Sequence, residues 1–297
     1  MRIALILSLV LLAACVTPTT RPPSVGSGAL KEETERQREA IFHAFLSETK
    51  RARRVTDAVL RAGRDFCGKR TRFSSGGSIA TAYDFPPEYR RTARSVAGIG
   101  DRPVVLTVAP GSPSMAAGLR PGDEIVGVNL SPLEGGPDAS REFLRRIKMA
   151  GNKQFGLTVR RGQDKRVLIS ANEICNYGLA LSESKEIGAW ADGDRIIVSR
   201  AMLRFVDSDE ELAFVVAHEL AHNAMRHIDA KRTNALGGFV IDMLIAVLAG
   251  VDTQGMFTKN FAMAYSQEFE SEADYVGLYM CELSGYDISE AAYWAFL

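Results

Sequence analysis

His218 and His222 lie four residues apart, and Glu219 directly follows the first of them. On an α-helix, residues at that spacing share a face, so both imidazoles can point at one metal ion. Zn²⁺ suits this set: it takes imidazole nitrogens, keeps one coordination position open to water, and lets a nearby carboxylate remove that water's proton. Glu219 is placed for that last role. The chain has 4 histidines, and His218, His222 and His227 fall within one short stretch. Packing needs do not explain such clustering.

A helix must carry this pair, and the sequence supplies one. Ser208-Asp209-Glu210-Glu211 has the S-x-x-E form of a capping box, which starts a helix. Leu212, Val215, Val216 and Leu220 then form an apolar stripe at helical spacing. H-E-x-x-H on a helix is a metalloprotease signature. The helix is expected to continue through His227. That residue lies five positions beyond His222, off the ligand face, so it is assigned a hydrogen-bonding or surface role.

A catalytic zinc keeps three protein ligands and a water, so a third ligand must come from elsewhere. Ser266 to Asp274 is the candidate stretch, with Glu268, Glu270, Glu272 and Asp274 crowded together. Glu270 and Asp274 share a helix face, and Phe269, Tyr275, Leu278 and Tyr279 can pack beside them. H-E-L-A-H at 218–222 with E-S-E-A-D at 270–274 resembles the zinc metallopeptidases of the HtpX-like and CAAX-prenyl-protease family. Asp192 to Val198 and Asp209 to Phe214 also look like that family's lead-in to the zinc helix. The resemblance spans roughly 180–297. It implies Glu270 as third ligand, Asp274 as the acceptor that orients a ligating histidine, and one Zn²⁺ per chain. Glu268 and Glu272 are left as surface charges. The resemblance also implies a downstream basic residue at the oxyanion, and none matches by motif. The strand Arg195–Val198 could align substrate backbone as a sheet edge.

Between 95 and 171 the pattern changes to short strands and turns. Val104–Val108 and Glu124–Asn129 read as strands, Asp138–Met149 as a helix, and 155–169 as a hairpin around Gly162. Ala109-Pro110-Gly111-Ser112-Pro113, then Ala117-Gly118-Leu119-Arg120-Pro121-Gly122-Asp123, resembles a PDZ domain of the bacterial protease-associated type. That implies binding of an extended peptide, often a C-terminus, by strand addition. Gly98-Ile99-Gly100 is the candidate carboxylate-binding loop.

At the start, one positive charge, an apolar run and small residues make residues 1–14 a signal peptide. Leu12-Ala13-Ala14-Cys15 resembles the bacterial lipobox, implying lipid attachment at Cys15. By resemblance to enterobacterial sorting, Val16 points to the outer membrane, with the chain facing the periplasm. Residues 15–30 read as a flexible tether and 31–66 as an amphipathic helix with a solvated charged face. Cys67 and Cys175 flank the middle region, so one disulfide could tie its ends together. Cys281 reads as a buried thiol, and an odd count leaves the pairing open. Ala235–Val251 is apolar but short for a membrane span and is expected to be buried. The chain stops at Leu297 inside what reads as a helix begun near Asp287, which leaves the completeness of the site open.

The expected class is α+β: an N-terminal helix, a β-rich PDZ domain, then a mainly helical, zincin-like domain over 180–297. The formal net charge is +0, and no basic field argues for nucleic acid. The function this implies is zinc-dependent cleavage of exported polypeptides in envelope quality control, with PDZ-assisted recognition. The alternative is a peptide-binding adaptor with an inactive metallopeptidase-like domain. An intramembrane protease is disfavoured because Glu210, Glu211 and Arg226 flank the zinc helix.

Overall fold

A computed structural model describes residues 26–249, 252–263 and 266–289. The signal segment, Cys15, most of the tether and residues 290–297 lie outside them. In chain order the elements are α1 (Ser27–Ala62), β1 (Thr71–Ser74), β2 (Gly77–Ala80), α2 (Pro87–Ala97), β3 (Val104–Val108), α3 (Pro113–Ala116), β4 (Glu124–Val128), β5 (Ser131–Pro132), α4 (Ala139–Met149), β6 (Gln154–Arg161), β7 (Gln163–Ser170), β8 (Asn172–Cys175), β9 (Gly178–Ser182), β10 (Ala189–Ala191), β11 (Arg195–Ser199), α5 (Arg200–Phe205), α6 (Asp209–Ala224), α7 (His227–Ala249), α8 (Met256–Met263) and α9 (Ser266–Leu283).

Up to Ala40, α1 is mostly exposed and carries local ion pairs such as Arg38 with Glu35. From Ile41 the chain forms a compact unit. There α1 is far more buried than an amphipathic surface helix. Phe42 and Leu46 join Ala80, Ala82, Ala93, Ile99 and Leu106 in one apolar cluster. Three turns on, Val55, Val59 and Leu60 join Leu212, Val216, Leu220 and Met280 in another. The charged face is also engaged. Arg51 donates to the carbonyls of Leu203 (2.9 Å) and Val206 (3.0 Å) and to Asp209 (2.9 Å).

The β-rich region is an antiparallel sheet in the order β2-β3-β4-β6-β7, with β5 beside β4. Alternate residues of β6 and β7, Phe155, Leu157, Val159, Val167 and Ile169, face a core closed by Phe143 of α4. Gly162, with φ of 77°, makes the hairpin turn. In the Pro-Gly-Asp turn, buried Asp123 accepts from the Arg120 N–H (2.8 Å) and from Arg161 (2.6 Å). Its carboxylate therefore holds the turn. The sheet begins earlier than 95, because β2 at Gly77–Ala80 is one of its strands. Gly98 caps α2 and Ile99 is buried.

In the C-terminal part, three strands run in the order β10-β11-β9. Arg195–Val198 is thus the central strand, not the edge expected from sequence. Ala189–Ala191 is one edge and Gly178–Ser182 the other, because each pairs with β11 alone among the described strands. Burial of the 235–251 stretch is also contradicted. Leu236, Phe239, Val240, Met243, Leu244 and Val247 are between 47% and 76% exposed. The buried face of α7 holds Asp242, which accepts from the Thr258 N–H (2.7 Å) and hydroxyl (2.6 Å) and so ties α7 to α8. Among the described residues, no helix is long and apolar enough to cross a membrane.

Cys67 and Cys175 form a disulfide. Cys281 is a buried free thiol whose pKa burial pushes up to about 12, which leaves it unreactive at neutral pH.

Candidate metal centre

Helix α6 starts where its capping box requires. The Glu211 N–H donates to Ser208 Oγ (3.1 Å), and Glu211 accepts from the Ser208 N–H (3.4 Å). Leu212, Val216 and Leu220 are fully buried against α1 and α9. That burial turns His218 and His222 to the opposite side.

Helix α9 lies against this helix at close range because of Gly277. A Cβ there would sit 3.0 Å from both the His218 N and Cα atoms. The glycine costs about 1 kcal/mol in helix propensity relative to alanine, yet it lets the two backbones touch beside the candidate ligands. One turn earlier, Asp274 accepts from His218 Nδ1 at 2.9 Å, and a further turn back Glu270 reaches the histidines. Gly277→Val is therefore expected to separate the helices and weaken metal binding at least tenfold, about the scale of losing one outer partner of a ligand. Competition against a chromophoric chelator measures this, and unchanged affinity would show the contact to be dispensable.

Three atoms converge. His222 Nε2 is 3.0 Å from His218 Nε2 and 3.1 Å from Glu270 Oε2, and His218 Nε2 is 3.3 Å from that same oxygen. Metal–ligand bonds of ~2.0 Å in a tetrahedral site separate neighbouring ligand atoms by about 3.3 Å, so the triangle fits. The chemistry of the donors fits too. Because the Asp274 carboxylate accepts from His218 Nδ1, a neutral His218 turns a lone pair inward, toward the Glu270 oxygen. Such crowded acceptors repel one another unless a cation lies between them. Burial, with the charge of His218 added, pushes the His222 pKa down to about 4, so this ring stays neutral and able to ligate. Burial opposes ionisation of Glu270, but His222 and Lys231 outweigh it and its pKa lies below the ordinary value.

Glu219 faces the same space. Burial first, and the charge of Glu270 after it, push its pKa up to about 7, while His218 and a hydrogen bond from the Ala191 backbone pull the other way. A carboxylate poised near neutrality is suited to taking and returning a proton. The Ala191 contact also places edge strand β10 beside that carboxylate.

Several residues at the site escaped the sequence reading. Asn223 donates to the Arg195 carbonyl (3.0 Å) and accepts from the Gly193 N–H (2.8 Å), pinning the β10–β11 turn to α6. Lys231 reaches Glu270 Oε1 at 3.3 Å, leaving Oε2 to face the histidines. α6 does not continue through His227 but ends at Ala224, and Arg226 takes a φ of 63° before α7 begins. That reversal folds His227 back over His222, and it is buried, so a surface role is excluded. Glu272 is not merely a surface charge, because it meets His227 at 2.9 Å. Glu268 is exposed, while Tyr275 and Tyr279 face outward against each other. A glycine inside the apolar stripe of α9 was the one signal for Gly277.

Residues 168–295 match the model of peptidase family M48, and residues 104–161 match that of the PDZ domain. The chain carries a peptidase family M48 domain. The beta-barrel assembly-enhancing protease of Escherichia coli (strain K12) is 30% identical over 144 residues, covering 41% of this chain and 28% of that protein. The mitochondrial metalloendopeptidase OMA1 of Arabidopsis thaliana is 30% identical over 94 residues, covering 31% of this chain and 19% of its own length. OMA1 of Schizosaccharomyces pombe (strain 972 / ATCC 24843) is 32% identical over 104 residues, covering 33% of this chain and 30% of that one. The chain thus spans less than a third of each relative. The M48 match takes in both histidines, Glu219, Glu270 and Asp274.

Proposed function

We propose that this chain is a zinc-dependent endopeptidase of the bacterial cell envelope that cleaves exported polypeptides, with the PDZ domain recruiting or screening them. The convergence of His218 Nε2, His222 Nε2 and Glu270 Oε2 carries this reading. His218, His222 and Glu270 would hold one Zn²⁺, and Asp274 would fix the His218 ring. Zinc bound there would supply a water of lowered pKa and polarise the scissile carbonyl. Glu219 would accept the proton of the attacking water and pass it on to the leaving amine. The free edge of β10 is where substrate backbone would lie in extended form, beside Glu219.

The peptide groove of the PDZ domain is assigned to the free edge of β2, which pairs only with β3 among the described strands. A cavity of about 620 Å³ runs along it, walled by Thr49 and Arg53 of α1, by Ser78 and Ile79 of β2, and by Phe143 and Leu144 of α4. Gly98-Ile99-Gly100 does not line it, so the carboxylate-loop role moves to the Ser74–Gly77 turn that does. A lipid on Cys15 and an outer-membrane, periplasm-facing location complete the reading. They draw support from the lipobox resemblance and from the name of the Escherichia coli relative.

The test is metal content of the full chain together with cleavage of an unfolded protein. One zinc per chain is expected, and Glu270→Ala should lose it along with hydrolysis. Tight zinc retained in that variant would remove Glu270 as the third ligand. Zinc without hydrolysis in the parent would leave the adaptor reading in place.

A further inference from the structure

His227 is 1% exposed, lies beyond the three metal-facing residues, and has both ring nitrogens engaged. Nδ1 is 3.0 Å from His222 Nδ1, and Nε2 is 2.9 Å from Glu272 Oε2. Phe269 stacks on its face at 4.7 Å between centroids, with 22° between the planes.

We infer that Glu272 and His227 are positioning residues that act through His222, fixing its tautomer and ring orientation so that Nε2 presents a lone pair to the metal. This rests on the metallopeptidase reading and extends it outward along one chain of bonds. An ionised carboxylate only accepts, so Glu272 takes the proton of His227 Nε2–H. A neutral imidazole protonated there has a bare Nδ1. That atom must accept, and its partner at 3.0 Å is His222 Nδ1, which therefore carries the hydrogen. His222 Nε2 is then unprotonated, facing His218 and Glu270. Glu272 thus sets, two bonds away, which nitrogen of His222 is free. Asp274 does the same for His218 in one step. The two ligating rings are oriented by different devices, each ending on a carboxylate of α9. The left-handed Arg226 is what permits the longer one, because an uninterrupted helix would carry His227 away from His222.

Two substitutions separate hydrogen bonding from packing. His227→Phe keeps a flat ring against Phe269 but removes both bonds, whereas His227→Gln loses the stacking yet can accept from His222 and donate to Glu272. Zinc affinity of the full chain is measured by chelator competition. The expected result is a loss of about 10- to 100-fold in His227→Phe, with most of it restored in His227→Gln. Affinity kept by Phe and lost by Gln would overturn the inference. Long-range proton–nitrogen NMR correlations of the zinc-loaded parent read the tautomers directly and do not depend on how either variant folds. His222 should be protonated at Nδ1 and His227 at Nε2, and a His227 protonated at Nδ1 refutes the chain of bonds. A parent chain that binds no zinc would instead bring down the metallopeptidase reading itself.

Discussion

Glu219→Gln should lower kcat/KM for a peptide substrate by about 10²- to 10⁴-fold, the usual worth of a positioned general base, while zinc stays at one per chain. The amide oxygen can still accept from the Ala191 N–H, so the local backbone has no reason to move. What disappears is the ability to take a proton. The pH profile gives a second reading of the same group. The Glu219 pKa is raised to about 7, mainly by burial, and only the ionised form acts as base. Activity should therefore fall as pH drops through that value. A bound cation favours the ionised carboxylate, so the midpoint of the acid limb belongs at or below about 7. Stopped assays with a fluorogenic peptide across pH 5 to 8 would show it. If the variant cleaves at the parental rate, Glu219 is not the base.

The second large effect concerns stability. Cys67 and Cys175 are 108 residues apart, and both sulfurs sit in the apolar cluster that backs α6. Closing a loop of that length removes chain entropy worth about 4–5 kcal/mol from the unfolded ensemble on the loop-entropy model. The double substitution Cys67→Ser, Cys175→Ser should accordingly cost about 3–5 kcal/mol, allowing for denatured-state structure. It would appear as a lower urea midpoint, with a steeper slope because the unbridged unfolded chain exposes more surface. Unchanged midpoints in the parent with and without reductant would mean that the bond contributes nothing. The loop it closes contains the whole β-rich sheet, so the bond ties the exit of that sheet to the end of α1.

Where sequence reasoning reached the structure, it did so through local rules. The capping box at Ser208, the apolar stripe through Leu212 and Leu220, and the hairpin at Gly162 depend on neighbours a few residues away, and each is present. The residues singled out for metal chemistry also lie together. What escaped was set by tertiary contact. Sheet order is not local, so the central place of Arg195–Ser199 and the edge position of Ala189–Ala191 needed the pairing of β9, which arrives from earlier in the chain. Arg226 at positive φ is a conformation that glycine or asparagine would have advertised and arginine does not. The apolar composition of Leu236–Val247 suggested burial, yet hydrophobicity alone does not say what covers a helix. Gly277 carried a signal only to a reader asking why a helix interior should tolerate glycine.

The long helix α1 has a consequence for how the molecule comes apart. Its Phe42 and Leu46 complete the hydrophobic interior on the PDZ side, while Val55, Val59 and Leu60 complete that of the half built around α6 and α9. A cut made at the apparent boundary between the two halves would leave one of them with an open flank, whichever half kept the helix. Melting should therefore register as a single calorimetric event, with the cavity along β2 and the His218–His222–Glu270 cluster lost together, and neither half is a module that can be lifted out intact.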